Sequence, residues 1–263
     1  MSEKRLVAVV QARMGSTRLP GKVLLPICDE PVLWHIVQRL NRVPGITSVI
    51  VATSERPEND LIREFCEQRN ILCFSGSEND VLARFYLAAK SQNADVVIRV
   101  TADCPLVDPA LIGKVLDSYY KNGFDYCSVA AGAGVANEGF HGRFPDGLDA
   151  EVFSFKILSE AFTEAVHPLH REHVTPFLWS QPNRFKLGNI KSEIDYSAWR
   201  LTLDHHGDLD LIRTIYKTLY PKKPFFDLKD VVSLIESNPE YLKINSNYIG
   251  NEGYQEFWNG NIK

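Results

Sequence analysis

Val7–Lys22 reads VAVVQARMGSTRLPGK, and the rest of the chain is organised around it. The apolar run Leu6-Val7-Ala8-Val9-Val10 has the length and content of a buried strand. It turns into a loop carrying Arg13, Gly15, Ser16, Thr17, Arg18, Gly21 and Lys22. Glycines let backbone approach an anion closely. The arginines offer forked donors to phosphate oxygens and the lysine a compact charge. A buried strand feeding such a loop suits a polyphosphate. Spacing separates it from the common phosphate loops. Walker A has four residues between Gly and Gly-Lys, then Ser or Thr. Here Gly15 and Gly21 enclose five residues, and Val23 follows Lys22. No G-x-G-x-x-G follows the strand either. A solvated basic turn fits the same spacing.

Outward from this loop, strand and helix signals alternate. Pro31 opens an apolar-periodic helix to about Leu40, Val49–Thr53 reads as a strand, and Pro57–Asn70 as a helix. Ile71–Phe74 is a short strand, and Asp80 can cap a helix to about Gln92. Val96–Val100 and Phe124–Val129 are strands around a helix from Pro109 to Tyr120. This βαβ repetition predicts an α/β fold, a mostly parallel sheet with helices on both faces and ligands at the carboxyl ends of its strands. The pattern changes after Val129. Ala130–Gly142 has no clear period, and Phe144–Phe153 reads as turn plus strand. Ser154–Ala165 and His170–Ser180 look helical, Phe185–Ile190 and Trp199–Leu203 extended, and Leu209–Tyr220 and Leu228–Ser237 helical. The last 20 residues are polar and asparagine-rich, so 1–243 reads as one domain and 244–263 as a loose extension.

Composition fits one large α/β domain or two small ones: 263 residues, 44% hydrophobic and 24% charged. A net charge of −4 implies no bulk attraction to nucleic acid or anionic membrane. No apolar run approaches the ~20 residues that span a bilayer. MSEKR leads straight into a strand without a signal-peptide core, so a cytoplasmic protein is expected. Five cysteines, an odd number with no C-x-x-C, read as reduced thiols.

Gln11–Lys22 resembles the N-terminal signature of the CTP-dependent cytidylyltransferases that activate acidic sugars such as Kdo and the nonulosonates. Its Gly-Ser-Thr-Arg-Leu-Pro-Gly-Lys is most similar to the branch named after spore-coat polysaccharide biosynthesis proteins. The resemblance implies a Rossmann-like, GT-A-like nucleotide-diphospho-sugar transferase architecture and a homodimer, with an acceptor or dimerisation insertion near 130–190. It implies CMP transfer from CTP to an acidic sugar or a small phosphorylated or phosphonate acceptor, with release of pyrophosphate, assisted by Mg²⁺ and serving surface polysaccharide biosynthesis. Ala12, Arg13, Gly15, Ser16, Arg18 and Lys22 then meet the nucleotide. Ala52-Thr53-Ser54 resembles the base-facing segment, and Gly76–Arg84, with Asp80 and Arg84, a second segment near the nucleotide. Asp80 as a helix cap and Arg84 as a solvated residue are the alternatives. Asp103, in Arg99-Val100-Thr101-Ala102-Asp103-Cys104-Pro105-Leu106, and Asp204, in Arg200-Leu201-Thr202-Leu203-Asp204, match the metal-binding positions, with an Asp that caps a turn before Pro105 as the alternative for Asp103. Arg13, Lys22, Asp103 and Asp204 form the implied catalytic set. His205-His206-Gly207 depart from the family's Thr-Pro-Glu, and Asp208 reads as a helix N-cap.

The acceptor falls to three other places. Pro145-Asp146-Gly147-Leu148-Asp149-Ala150-Glu151 resembles a segment close to the acceptor, with Asp146, Asp149 and Glu151 as hydroxyl or amine contacts. A turn facing solvent is the alternative. Arg171 and His173, in Arg171-Glu172-His173-Val174-Thr175-Pro176, and Arg99 join that set. His167, His170 and His173 are spaced by three, but Pro168 interrupts them and no H-E-x-x-H is present, which argues against zinc. Ala130–Gly142 fits a loop over the site or a linker. A different nucleotidyltransferase, a glycosyltransferase, or a nucleotide-sensing domain without catalysis are the rival readings. Asp208-Leu209-Asp210 has the Asp-x-Asp form of a glycosyltransferase but falls in an expected helix.

Overall fold

The computed structural model describes residues 4–129 and 143–248. Ala130–Gly142, read as a loop or linker, lies outside the described residues, as does the extension from 249 onward. The opening apolar run forms β1 (Leu6–Gln11). A two-stranded hairpin follows, β2 (Pro26–Ile27) and β3 (Glu30–Pro31). Then come α1 (Val32–Leu40), β4 (Ile46–Ser54), α2 (Asp60–Gln68), β5 (Leu72–Gly76), α3 (Val81–Ser91), β6 (Val96–Thr101), α4 (Pro109–Asn122) and β7 (Tyr126–Val129). The second half supplies β8 (Glu151–Ser154), α5 (Phe155–Glu164), α6 (Pro168–His173), α7 (Pro176–Trp179), β9 (Leu187–Ile190), α8 (His206–Leu219) and α9 (Leu228–Ser237).

Seven of these strands make one sheet in the order β5-β4-β1-β6-β8-β7-β9. Neighbours are parallel except at β8, which runs antiparallel to both β6 and β7. Both faces are covered, so the strands read as unbroken apolar runs. Leu6, Ala8 and Val10 of β1, with Val96, Ile98 and Val100 of β6, join the core under α1, α4, α8 and α9. Val7, Val9 and Val97 join the opposite core with α3, α5 and α7. The chain leaves β1 for β4 and β5 on one side and returns as β6 on the other. That reversal opens a crevice at the carboxyl ends of β1 and β6, where ligands of such sheets bind.

Two segments differ from the sequence expectation. His170–Ser180 is two short helices, interrupted at Val174, whose φ of 71° no continuous helix accepts. Trp199–Leu203 is not a strand. It makes a single parallel bridge, Asp146 to Arg200, with Asp146 N donating to Trp199 O at 3.0 Å and Leu201 N to Asp146 O at 2.7 Å. A ladder cannot extend, because Gly147 turns away at φ 98°. Among the described residues no helix is long and apolar enough to cross a membrane.

Candidate active site

Gly21, at φ 68°, turns the loop after β1 into a short 3₁₀ turn that begins with Lys22. The Lys22 ammonium thereby reaches over the crevice. Its Nζ donates to Asp204 Oδ1 at 2.7 Å, Leu203 O at 2.9 Å and Asp103 Oδ2 at 3.1 Å. Asp103 sits just past β6, and the Thr101 hydroxyl donates to its other oxygen. Asp204 ends the irregular segment that enters α8, and Arg18 Nη2 lies 3.1 Å from its Oδ2. Burial would lower the Lys22 pKa, but Asp103 and Asp204 raise it above the usual lysine range. Burial works the other way on Asp103, yet Lys22 and the Thr101 hydroxyl hold its carboxyl down to about 2. One ammonium and one half-buried carboxylate are therefore held in their charged forms.

Arg200 organises the acidic side of the crevice. Its Nε donates to Asp208 Oδ1 at 2.9 Å and its Nη2 to Asp208 Oδ2 at 3.0 Å. It also pairs with Asp204 at 3.4 Å and Asp146 at 3.6 Å. Asp208 is fully buried and is not the N-cap. His205 is the cap residue, and Asp208, at the third helical position, accepts from the backbone N–H of Asp204 (3.0 Å) and His205 (2.9 Å). Burial and the neighbouring Asp149 push Asp146 up to about 8, against the pull of Arg200. Gly147 is what lets this segment reach Arg200. A Cβ there would lie 2.3 Å from Thr202 N and 2.4 Å from Leu201 C.

The other half of the loop faces the ends of β4 and β5. Ala12 N donates to Ala52 O at 3.2 Å, and Met14 N to Asn59 Oδ1 at 2.8 Å. Asn59 in turn donates to the Ser54 hydroxyl at 2.7 Å. Thr53 and Ser54 are buried. Arg13 pairs with Glu78 at 3.3 Å. A Cβ added at Gly15 would meet nothing within 4 Å, and Ser16 Oγ accepts from Leu19 N at 3.2 Å. Arg84 is buried, not solvated, and donates to the carbonyls of Ser77 and Glu78. Asp80 caps α3 through Ala83 N at 2.9 Å.

Three residues of the expected acceptor set have partners within the fold. Arg171 takes the structural role that its segment also allowed. It forks onto Asp80, with Nε 3.0 Å from Oδ1, and donates to Phe162 O at 2.7 Å, tying α6 to the start of α3 and the end of α5. Arg99 and Glu151 are buried register partners on β6 and β8 and pair with each other at 2.5 Å. Tyr126 and Thr175 hydroxyls donate to the other Glu151 oxygen at 2.5 and 2.9 Å. A charged pair with that many partners is a fastener between β6, β8 and β7. Arg99→Leu, which strands the Glu151 carboxylate, should cost about 3–5 kcal/mol in urea unfolding. A loss below about 1 kcal/mol would show that the carboxylate does not depend on Arg99.

His173, on α6, is held neutral. Burial, with Arg99 and Arg13 nearby, lowers its pKa to about 4. An unfolded imidazole titrates near ~6.5, so between those values the unfolded chain takes up a proton that the native chain refuses. Stability conferred at neutral pH is lost as the pH falls through that window. Relative to His173→Gln, the wild type should lose about 2 kcal/mol between about pH 7 and pH 5. Superimposable pH profiles of the two proteins would contradict it.

Sequence reasoning passed over Arg200, Thr101 and Glu78. Arg200 stands four residues before Asp204 and eight before Asp208, a spacing that a clamp reading of the segment would have found.

Comparison with known proteins gives the family. A family model described as cytidylyltransferase matches residues 7–215. The chain belongs to the cytidylyltransferase family. It is a nucleotidyltransferase, as the resemblance of Gln11–Lys22 implied. It is 34% identical over 254 residues to an uncharacterized protein of Methanocaldococcus jannaschii, spanning 96% of this chain and 98% of that one. It is 28% identical over 242 residues to the spore coat polysaccharide biosynthesis protein SpsF of Bacillus subtilis, spanning 89% and 95%. A solved cytidylyltransferase from Leptospira borgpetersenii superimposes with a TM-score of 0.82 at 30% identity, covering 91% of this chain and 97% of that one. This cytidylyltransferase places its loop after β1, Asp103 and Asp204 at the sheet reversal, the crevice where nucleotides bind in such folds.

Proposed function

We propose that this cytidylyltransferase transfers CMP from CTP to an acidic sugar, with release of pyrophosphate, in the assembly of a surface polysaccharide. The observation that carries the reading is the convergence of Asp103 and Asp204 on one cation-sized point, 3.1 and 2.7 Å from the Lys22 nitrogen, beside Arg18. The spore coat name of the Bacillus relative and the acidic-sugar resemblance of Gln11–Lys22 support the acceptor class.

The residues present fit Mg²⁺. Two carboxylates aimed at one point, completed by water and phosphate oxygens, form the oxygen set this ion takes. Asp103 and Asp204, the positions that the resemblance matches to the metal ligands, would be the protein's share of that set. When bound, Mg²⁺ supplies Lewis-acid polarisation of a phosphoryl oxygen. The side chains do the rest. Lys22, Arg13 and Arg18 bind the β- and γ-phosphates and neutralise the charge that grows on departing pyrophosphate. Lys22 exchanges its carboxylate partners for phosphate oxygens as the nucleotide enters. Arg200 holds Asp204 in place and Asp146 beside the acceptor, so that an acceptor oxygen attacks the α-phosphorus in line. No covalent enzyme intermediate is required.

The test is pyrophosphate release from CTP, ATP, GTP and UTP with Mg²⁺ against a panel of acidic sugars, sugar phosphates and phosphonates. Release that needs both CTP and an acidic sugar is expected. Preference for another nucleotide, or release with neutral sugars only, would overturn the proposal.

A further inference from the structure

The family model ends at residue 215, yet the chain returns to the crevice far beyond it. After a short 3₁₀ turn over Pro239–Lys243, residues 244–248 lie across the start of α8 rather than forming part of a loose extension. Asn245 is buried there with an exposure of 3%. Its amide nitrogen donates to Arg200 O and to Asp208 Oδ1, both at 2.9 Å. Asp208 is the carboxylate that takes both arms of Arg200 and the backbone N–H groups of Asp204 and His205. The Tyr248 ring stacks on His205, centroids 4.1 Å apart and planes 5° from parallel. At Gly207 a Cβ would lie 2.9 Å from both Ile244 O and Tyr248 Cε2, so only glycine leaves room for the segment. His205 and Gly207 are two of the three residues that depart from the family's Thr-Pro-Glu, and both departures form the surface on which the segment rests.

We propose that Ile244–Tyr248 is a brace for the Asp204 loop, and that Asn245 is a positioning residue that fixes Asp204 and Arg200 through Asp208. The inference rests on the reading of Asp204 as an active-site carboxylate. Residues 199–205 contain no helix or strand, so their placement depends on side-chain anchors. Asp208 provides the anchor, and Asn245 joins that carboxylate to the backbone of Arg200. An amide suits this place because it donates both N–H groups. An aspartate of the same shape cannot donate and would put a second carboxylate against Asp208.

Hydrogen exchange and steady-state kinetics of Asn245→Ala, Asn245→Asp and Tyr248→Ala test the brace. The Asp204 and His205 amides should exchange faster in all three variants, with protection of α1 and α4 unchanged. The value of kcat should fall about tenfold or more in the Asn245 variants, as small misplacements of reacting groups do, while KM for CTP stays within about threefold. Asn245→Asp should be no better than Asn245→Ala. A role in packing alone predicts that the isosteric Asp restores function, and that result would overturn the brace. Unchanged exchange at Asp204 and His205 would overturn it too, as would protection lost across α1 and α4 in every variant, since the segment would then hold the whole fold. Exchange reads the brace without turnover. A wild type silent in pyrophosphate release would therefore defeat the proposed reaction while exchange still decides the brace.

Discussion

Replacing Asp103 with Asn should lower CMP transfer by about 10²- to 10³-fold, the cost of removing one preorganised charge from a phosphoryl-transfer site. The substitution keeps the shape of the side chain and the Thr101 contact, and removes half of the anionic charge that faces Lys22. The folded chain should survive it. With its carboxyl held at about 2, against about 3.9 in an unfolded chain, ionised Asp103 contributes about 2.6 kcal/mol at neutral pH. That contribution is complete above the unfolded value and disappears as acid is added below it. Asp204→Asn should match the kinetic loss, because Lys22 bridges both groups. The double variant should then be little worse than either single one, as expected of residues that act on one cation. Rates of CMP transfer with Mg²⁺ titrated over each variant check this. A single variant within about tenfold of wild type would remove that carboxylate from the reaction.

Gly147→Ala should destabilise the chain by about 4 kcal/mol, well outside the usual range for a one-methyl change. Two costs combine. The φ of 98° is one that an L-residue adopts only under strain. The added carbon would also stand 2.3–2.6 Å from the backbone of Leu201 and Thr202, which has no flexible end to move aside. The segment that carries Asp146 to Arg200 would have to lift, and CMP transfer should fall with it. Gly15→Ala is the control. Its φ is ordinary and a Cβ there meets nothing, so stability should change by less than about 0.5 kcal/mol. Urea unfolding of the two variants side by side checks the contrast. Similar midpoints would mean that the Gly147 turn relaxes at little cost.

Sequence by itself determined the sheet and the first wall of the site. The run Leu6–Val10 is apolar at every position because both its faces are buried, and its length and content reveal that. The loop after it, and the carboxylate after the strand that ends at Thr101, are local features, each next to the strand that positions it. Tertiary structure decided what those groups touch. Arg99 and Glu151 looked like polar residues near an acceptor, and pairing of β6 with β8 made them partners of each other. Arg171 is cationic in any reading, but only the packing of α6 on α3 shows that Asp80 already holds it. Nothing in a polar, asparagine-rich tail marks Asn245, whose partners, Arg200 and Asp208, stand 45 and 37 residues away. Periodicity reports which face of an element is dry, because burial repeats with the backbone. The partner of a buried charge does not repeat, and only the folded chain names it.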